Sequence, residues 1–229
     1  MHPLLAGLTN RLVVSCQPVT GGPLDDPAIV AAYTKAVVVG GAAGVRIEGF
    51  ENLRAARGAT TLPVIGLVKR DLPDAPVRIT PFVEDVTRLA DLGADIVAFD
   101  ATARTRKAGV AALAAAAHAG GRLAMADIAT PEEAVAAMEA GCDVVGTTLA
   151  GYTGGPVPET PDFDVLSAIA ARGIPVIAEG RIRTPEEAAE AMRRGALAVV
   201  VGSAITRPEL ATEWFAQAVQ DGAAARGRP

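Results

Sequence analysis

Lys69 closes an apolar run, Pro63-Val64-Ile65-Gly66-Leu67-Val68, and is followed at once by Arg70 and Asp71. A lysine amine can remove a proton from carbon or condense with an aldehyde once its pKa is lowered by burial or by a neighbouring cation. Arg46 or Arg70 could supply that cation, and Asp127 and Glu179 would pull the other way. The run itself is short, β-branched and opened by a proline, so it reads as a strand buried on both faces. A lysine ending such a strand sits at the carboxyl mouth of a parallel sheet, where α/β enzymes keep their chemistry. Taken alone, Lys69 also looks like the first solvated residue after any strand.

The other strand ends change that balance. The apolar runs of the chain finish in Ser15-Cys16-Gln17, Arg46, Lys69, Asp100, Asp127, Thr147-Thr148, Glu179-Gly180-Arg181 and Gly202-Ser203. In a closed barrel all of these converge on one mouth. Phosphate sites in such barrels form after the seventh and eighth strands, from backbone N–H groups and a short helix. Glu179-Gly180-Arg181 offers a glycine for close backbone approach and a cation. Gly202-Ser203-Ala204-Ile205 opens toward a short helix, with Arg207 to follow. A phosphate grip, one lysine and two carboxylates suit proton transfer beside a carbonyl, and a Schiff base is the competing use of the same amine.

The elements that must position these residues recur regularly. Strands are expected at Leu12–Ser15, Gly44–Ile47, Val64–Val68, Ile96–Phe99, Leu123–Ala126, Val144–Gly146, Val176–Ala178 and Ala198–Val201, most of them separated by alanine-rich segments of helical period. This alternation predicts βαβ crossovers, and with nothing resembling a linker it predicts a single (β/α)8 TIM barrel domain over residues 1–229. Thr130-Pro131-Glu132-Glu133 and Thr184-Pro185-Glu186-Glu187 repeat two βα units apart, each with a threonine cap, a proline opening and a glutamate that closes a capping box. Thr80-Pro81 reads as a looser third copy. Gly40-Gly41-Ala42-Ala43-Gly44 reads as a tight helix-to-strand turn, and no G-x-G-x-x-G follows the first strand, so a dinucleotide fingerprint is absent.

Composition narrows the chemistry. Half of the 229 residues are apolar, enough for a large core, and the net charge is −5. With aromatics at 3 % and no basic stripe, nucleic acid is not an expected partner. The two histidines, His2 and His118, leave no basis for a histidine zinc site or a Ser-His-Asp triad, and His118 reads as a solvated helix-end residue. Cys16 and Cys142 read as core thiols. No metal, cofactor or membrane partner is expected, and the amino terminus lacks a secretory signal pattern, so a cytoplasmic location is expected.

In order and spacing, these motifs resemble the N-acetylmannosamine-6-phosphate 2-epimerase family. The segments that carry the likeness include Ser15-Cys16-Gln17, Gly44-Val45-Arg46, Lys69-Arg70-Asp71, Met125-Ala126-Asp127-Ile128, Gly146-Thr147-Thr148-Leu149, Ala178-Glu179-Gly180-Arg181-Ile182 and Val201-Gly202-Ser203-Ala204-Ile205-Thr206-Arg207-Pro208. The likeness runs from about Leu12 to Phe215. It implies a metal-free barrel enzyme that inverts C2 of an N-acetylated amino-sugar phosphate in amino-sugar and sialic-acid breakdown. It gives Lys69 the acid–base role and makes Glu179 the second essential group. It places Gln17, Arg46, Asp127 and Arg207 on the substrate, and Gly180, Arg181, Gly202 and Ser203 on the phosphate. It also implies a homodimer, in which the apolar last helix around Trp214–Val219 could take part. The chain departs from the family pattern at Leu72, where tyrosine is common, at Arg78-Ile79-Thr80-Pro81-Phe82, and at Lys107, where proline is common. Other phosphate-binding barrels, such as a pentose-phosphate epimerase or a Schiff-base lyase, and a non-catalytic sugar-phosphate sensor are the competing readings.

Overall fold

The computed structural model describes residues 1–226. Eight parallel strands pair in sequence order and close on themselves: β1 Leu12–Cys16, β2 Gly44–Glu48, β3 Val64–Leu67, β4 Ile96–Asp100, β5 Leu123–Asp127, β6 Val144–Gly146, β7 Val176–Glu179 and β8 Ala198–Val201. The ring closes where β1 pairs with β8, Val13 opposite Val200. The chain folds as a (β/α)8 TIM barrel, as the alternation of elements predicts. Several strands run one residue beyond their apolar run. The polar residues Glu48, Asp100, Asp127 and Glu179 are the last residues of β2, β4, β5 and β7 rather than the first of a loop.

Strand alternation sorts the core into two layers. Val13, Ile65, Leu67, Ile96, Ala98, Leu123, Met125, Val144, Ile177, Ala198 and Val200 pack together inside the barrel. Val14, Val45, Ile47, Val97, Phe99, Ala124, Ala126, Val145 and Val199 face the helices. A short helix, α1 (Pro3–Leu8), contributes Leu5 and Leu8 to the inner cluster and so plugs the end opposite the mouth. The inner parity continues upward. Two residues on from interior positions stand Ser15, Gln17, Arg46, Lys69, Asp100, Asp127, Glu179 and Gly202.

The outer helices are α2 (Pro27–Val39), α3 (Phe50–Ala59), α4 (Val83–Asp91), α5 (Val110–Ala119), α6 (Pro131–Glu139), α7 (Phe163–Ala170) and α8 (Pro185–Arg193). After β8 come α9 (Ser203–Thr206) and α10 (Pro208–Arg226). Both expected capping boxes form: Thr130 with Glu133 opens α6, and Thr184 with Glu187 opens α8. The turns before the strands contain left-handed glycines, Gly41, Gly93, Gly141 and Gly195 among them.

The third copy of that motif is not a cap. Thr80 is buried at φ +44, and its hydroxyl donates to the Ala98 carbonyl at 2.7 Å while accepting from Val68 N–H. The helix begins later, at Val83, with Phe82 in the cap position and no side-chain bond to the first turn. The cause lies in the loop after β3, which doubles back so that Lys69 bridges to Ile79. Thr80 is consumed in fastening that loop to the barrel.

Candidate active site

Arg46 is the organising group. It rises from β2 inside the barrel, 2 % exposed, and its two terminal nitrogens reach across the barrel to different carboxylates. One donates to Asp127 Oδ2 on β5 and the other to Glu179 Oε1 on β7. Burial opposes the Arg46 charge, and the two carboxylates more than restore it. Asp127 is fully buried, and desolvation raises its carboxyl pKa despite the opposing pull of Arg46, with the Glu179 charge adding to the rise. Glu179 is the more open partner, 12 % exposed, and it lines the cavity. Its strand end is fixed by Thr147, whose hydroxyl accepts from Glu179 N–H and donates to the Glu179 carbonyl.

Lys69 stands beside this network. Its ammonium donates to Gln17 Oε1 at 2.9 Å, and the Gln17 amide is itself oriented by donating to Ser15 Oγ at 2.9 Å. Glu48 accepts from the Lys69 backbone N–H. Lys69 is open to solvent on the mouth side, but its amine sits low in the bowl. Lost hydration, and next the Arg46 charge, hold its pKa below the ordinary lysine value, while Glu48 and Glu179 pull it back up. Arg78 adds to the lowering. Arg70, the other cation expected to act on Lys69, turns away. It forms a two-bond fork with Asp85 on α4, between Phe50 and Phe82, and so anchors the loop instead.

The cavity above these groups has a volume of about 610 Å³, ample for a phosphorylated sugar. Gln17, Arg46, Lys69, Glu179, Gly180, Arg181, Gly202, Ser203 and Arg207 all line it. Asp127 does not; it lies behind Arg46 and Thr148, so it can act on a ligand only through those side chains. At the β7–β8 side, Gly180 has φ +109, a conformation suited to glycine, and Gly202 passes within reach of Ser15, whose Cβ would be 3.2 Å from an added methyl. The Thr206 hydroxyl donates to the Ser15 carbonyl at 2.6 Å and pins α9 to β1. The Arg181 guanidinium is engaged by the loop after β6, donating to the carbonyls of Ala150 and Thr160, with Tyr152 stacked beneath it. Arg207 pairs with Glu209, and Arg183 lies over Trp214.

Two cavity residues, Arg78 and Arg104, are not among the candidate site groups of the sequence, whereas Thr148 is expected at the sixth strand end. Arg78 comes from the returning arm of the β3 loop, and only the hairpin geometry brings it near Lys69. Arg104 is held over the β4 end by Asp100 at 2.6 Å. Thr148 touches both Asp127 and Glu179. It lies in the 3-10 turn Thr147–Leu149 that follows β6. Among the described residues, no group of three or more His, Cys, Asp or Glu side chains is arranged to hold a metal ion. Cys16 and Cys142 are buried and unpaired, with burial pushing each thiol pKa up to about 12. His118 meets Asp143 at 2.8 Å, at the end of α5 and away from the mouth.

Residues 30–221 match the NanE family, described as "Putative N-acetylmannosamine-6-phosphate epimerase". The "Bifunctional enzyme NanE/NanK" of Brucella melitensis is 55 % identical over 217 residues, 94 % of this chain but only 42 % of that protein. The chain thus spans less than half the length of this bifunctional relative. The "Putative N-acetylmannosamine-6-phosphate 2-epimerase" of Glaesserella parasuis is 50 % identical over 218 residues, 95 % of this chain and 94 % of that one. Among solved structures, the N-acetylmannosamine-6-phosphate 2-epimerase from Clostridium perfringens superposes with a TM-score of 0.91 at 40 % identity, covering 94 % of this chain and 96 % of that one. A thiamine phosphate pyrophosphorylase from Pyrococcus furiosus, at 19 % identity and a TM-score of 0.61, shares the fold alone. On this extent of likeness, the chain belongs to the NanE family.

Proposed function

We propose that this chain is a sugar-phosphate epimerase that interconverts N-acetylmannosamine 6-phosphate and N-acetylglucosamine 6-phosphate by moving the proton at C2. One observation carries the reading: a single lysine amine opens into the cavity beside a buried arginine–carboxylate network, and its pKa is lowered. An amine shifted in that direction is neutral over a wider pH range and can act as a base.

In this mechanism the ring-opened sugar presents a C1 aldehyde, which acidifies the C2 proton. Lys69 removes it, oriented by Gln17 and Ser15. The enolate charge is met by Arg46 and the other donors at the mouth. Glu179, at the open edge of the network, moves protons at the sugar oxygens. Return of a proton to the opposite face completes inversion. Gly180, Arg181, Gly202 and Ser203 receive the phosphate at the β7–β8 side, and Arg207 contacts the substrate there. With the Arg181 guanidinium committed to the β6 loop, its backbone is the part available to a phosphate. The proton transfer uses side chains of the protein and needs no metal ion.

The chain works as one barrel domain, and as a homodimer. In support of the second point, no residue of α10 is buried, and Phe215 and Val219 are 75 % and 71 % exposed. Among the described residues no helix is long and apolar enough to cross a membrane. A doubly charged sugar phosphate is retained inside cells, which supports a cytoplasmic location.

The test is proton NMR of the protein with N-acetylmannosamine 6-phosphate in D₂O, with and without EDTA. Formation of N-acetylglucosamine 6-phosphate at the same rate in both is expected, with deuterium at C2 if Lys69 exchanges its proton with solvent. Absence of product from folded protein would refute the reading, and a rate abolished by EDTA would refute the metal-free mechanism.

A further inference from the structure

The network around Arg46 is a closed ring. Arg46 occupies Asp127 Oδ2 and Glu179 Oε1, and the remaining oxygens, Asp127 Oδ1 and Glu179 Oε2, lie 2.7 and 3.2 Å from the Thr148 hydroxyl. Gly146 makes room for this closure. A Cβ there would strike Met125 Cε first, at 2.4 Å, and would also fall 3.1 Å from Thr148 Oγ1 and 3.2 Å from Asp127 Oδ1.

A hydroxyl has one hydrogen to give. With both carboxylates ionised, the single Thr148 hydrogen serves one of them fully or both weakly, so the ring is one hydrogen short of two full hydrogen bonds. One added proton supplies it. A carboxylic acid then donates to Thr148 Oγ1, and Oγ1 donates to the other carboxylate. Charge argues in the same direction, because two carboxylates and one guanidinium leave an unbalanced negative charge where Asp127 is 0 % and Arg46 2 % exposed. The other charged groups facing the ring are Lys69 from the end of β3 and Asp100 from β4. Burial raises the Asp127 carboxyl pKa, consistent with its holding the proton at rest.

We propose that Thr148 is a positioning residue that keeps one proton shared between Asp127 and Glu179 and passes it to Glu179 for use on the sugar. In the transfer, the Thr148 hydrogen moves to Glu179 Oε2 and the Asp127 hydrogen moves to Thr148 Oγ1. Asp127 is left as a carboxylate against Arg46. Glu179 then gives its proton to a sugar oxygen, and the reverse steps restore the ring. The use of the proton rests on the epimerase reading above; its presence in the ring does not.

The experiment compares wild type with Thr148→Val and Thr148→Ser, by kinetics and by infrared spectroscopy at neutral pH. Thr148→Val should lower kcat by about tenfold or more with KM within about twofold, and Thr148→Ser should recover to within about threefold of wild type. The wild-type spectrum should contain a protonated-carboxyl C=O stretch that moves in Thr148→Val and vanishes in Asp127→Asn. Absence of that band from wild type would overturn the proposal, as would an undiminished kcat in Thr148→Val. A band present in a wild-type protein that does not epimerise would sink the functional reading while leaving the shared proton standing. Should Thr148→Val fail to fold, the wild-type and Asp127→Asn spectra still decide.

Discussion

The two sides of the mouth are built by different means. On the side proposed for proton transfer, side chains from β2, β5 and β7 and from the turn after β6 are locked to one another across the barrel axis. On the side proposed for the phosphate, Gly180 and Gly202 open the backbone, and the cavity-lining arginines Arg181, Arg183 and Arg207 are engaged by loop carbonyls, by Trp214 and by Glu209. Proton chemistry needs atoms held within a fraction of an ångström, and buried ion pairs supply that rigidity at a cost in desolvation. A phosphate is large and symmetrical, and it can be met by backbone N–H groups as well as by charge.

If this contrast is right, substitutions on the proton side should strike kcat and stability, and those on the phosphate side should strike KM. Lys69→Ala is expected to have the largest effect, removing the roughly 10²–10⁴-fold contribution of an acid–base group while calorimetry still detects sugar-phosphate binding. Turnover at the wild-type rate would break the comparison at its centre. Arg46→Met should follow, because it leaves two buried carboxylates without their cation. A loss of about 3–5 kcal/mol in urea unfolding is expected, together with a fall in kcat. Gly180→Ala tests the opposite side: strain at φ +109 should cost about 1–3 kcal/mol and raise KM with kcat largely kept. Thr184→Ala lies outside the mouth and should cost about 1 kcal/mol of stability with no change in kinetics.

The smallest effect sharpens the comparison by pH. Lys69 must be neutral to take a proton, so activity should rise with pH through its lowered pKa. Arg78 contributes to that lowering. Arg78→Ala should therefore move the acid limb of the rate profile to higher pH. Arg78 is 55 % exposed, so the movement should be larger at low ionic strength and fade as salt is added. A shift to lower pH would mean that Arg78 acts through the loop rather than through its charge.

Much of the scaffold was legible because its signals are local. Most strands are short apolar runs, β2 with Arg46 inside it being the exception that matters, and Thr130-Pro131 and Thr184-Pro185 carry their capping partners within three residues. Convergence of Lys69, Arg46 and Glu179 followed from barrel closure alone. What stayed hidden depends on side-chain direction and on loop paths. Arg70 follows Lys69 in the sequence and is the expected neighbour, but the returning β3 loop brings Arg78 near Lys69 and leaves Arg70 on Asp85. Thr80 has the neighbours of a cap but is drawn into the barrel wall by its bond to Ala98. Thr147 and Thr148 cannot be told apart by composition; the 3-10 turn after β6 sets Thr148 against Asp127 and Glu179 and Thr147 against the β7 backbone.

The span of the Arg46–Glu179 bond bears on how the protein is made. The two partners are 133 residues apart, so a chain emerging from the ribosome has its guanidinium long before the second carboxylate exists. Until β7 arrives, a collapsed early segment would have to bury Arg46 against Asp127 alone or leave it in water. Hydration of that one side chain then works against premature closure of a partial barrel. The group at the centre of the buried ion-pair network would thereby also act as a brake on folding out of order.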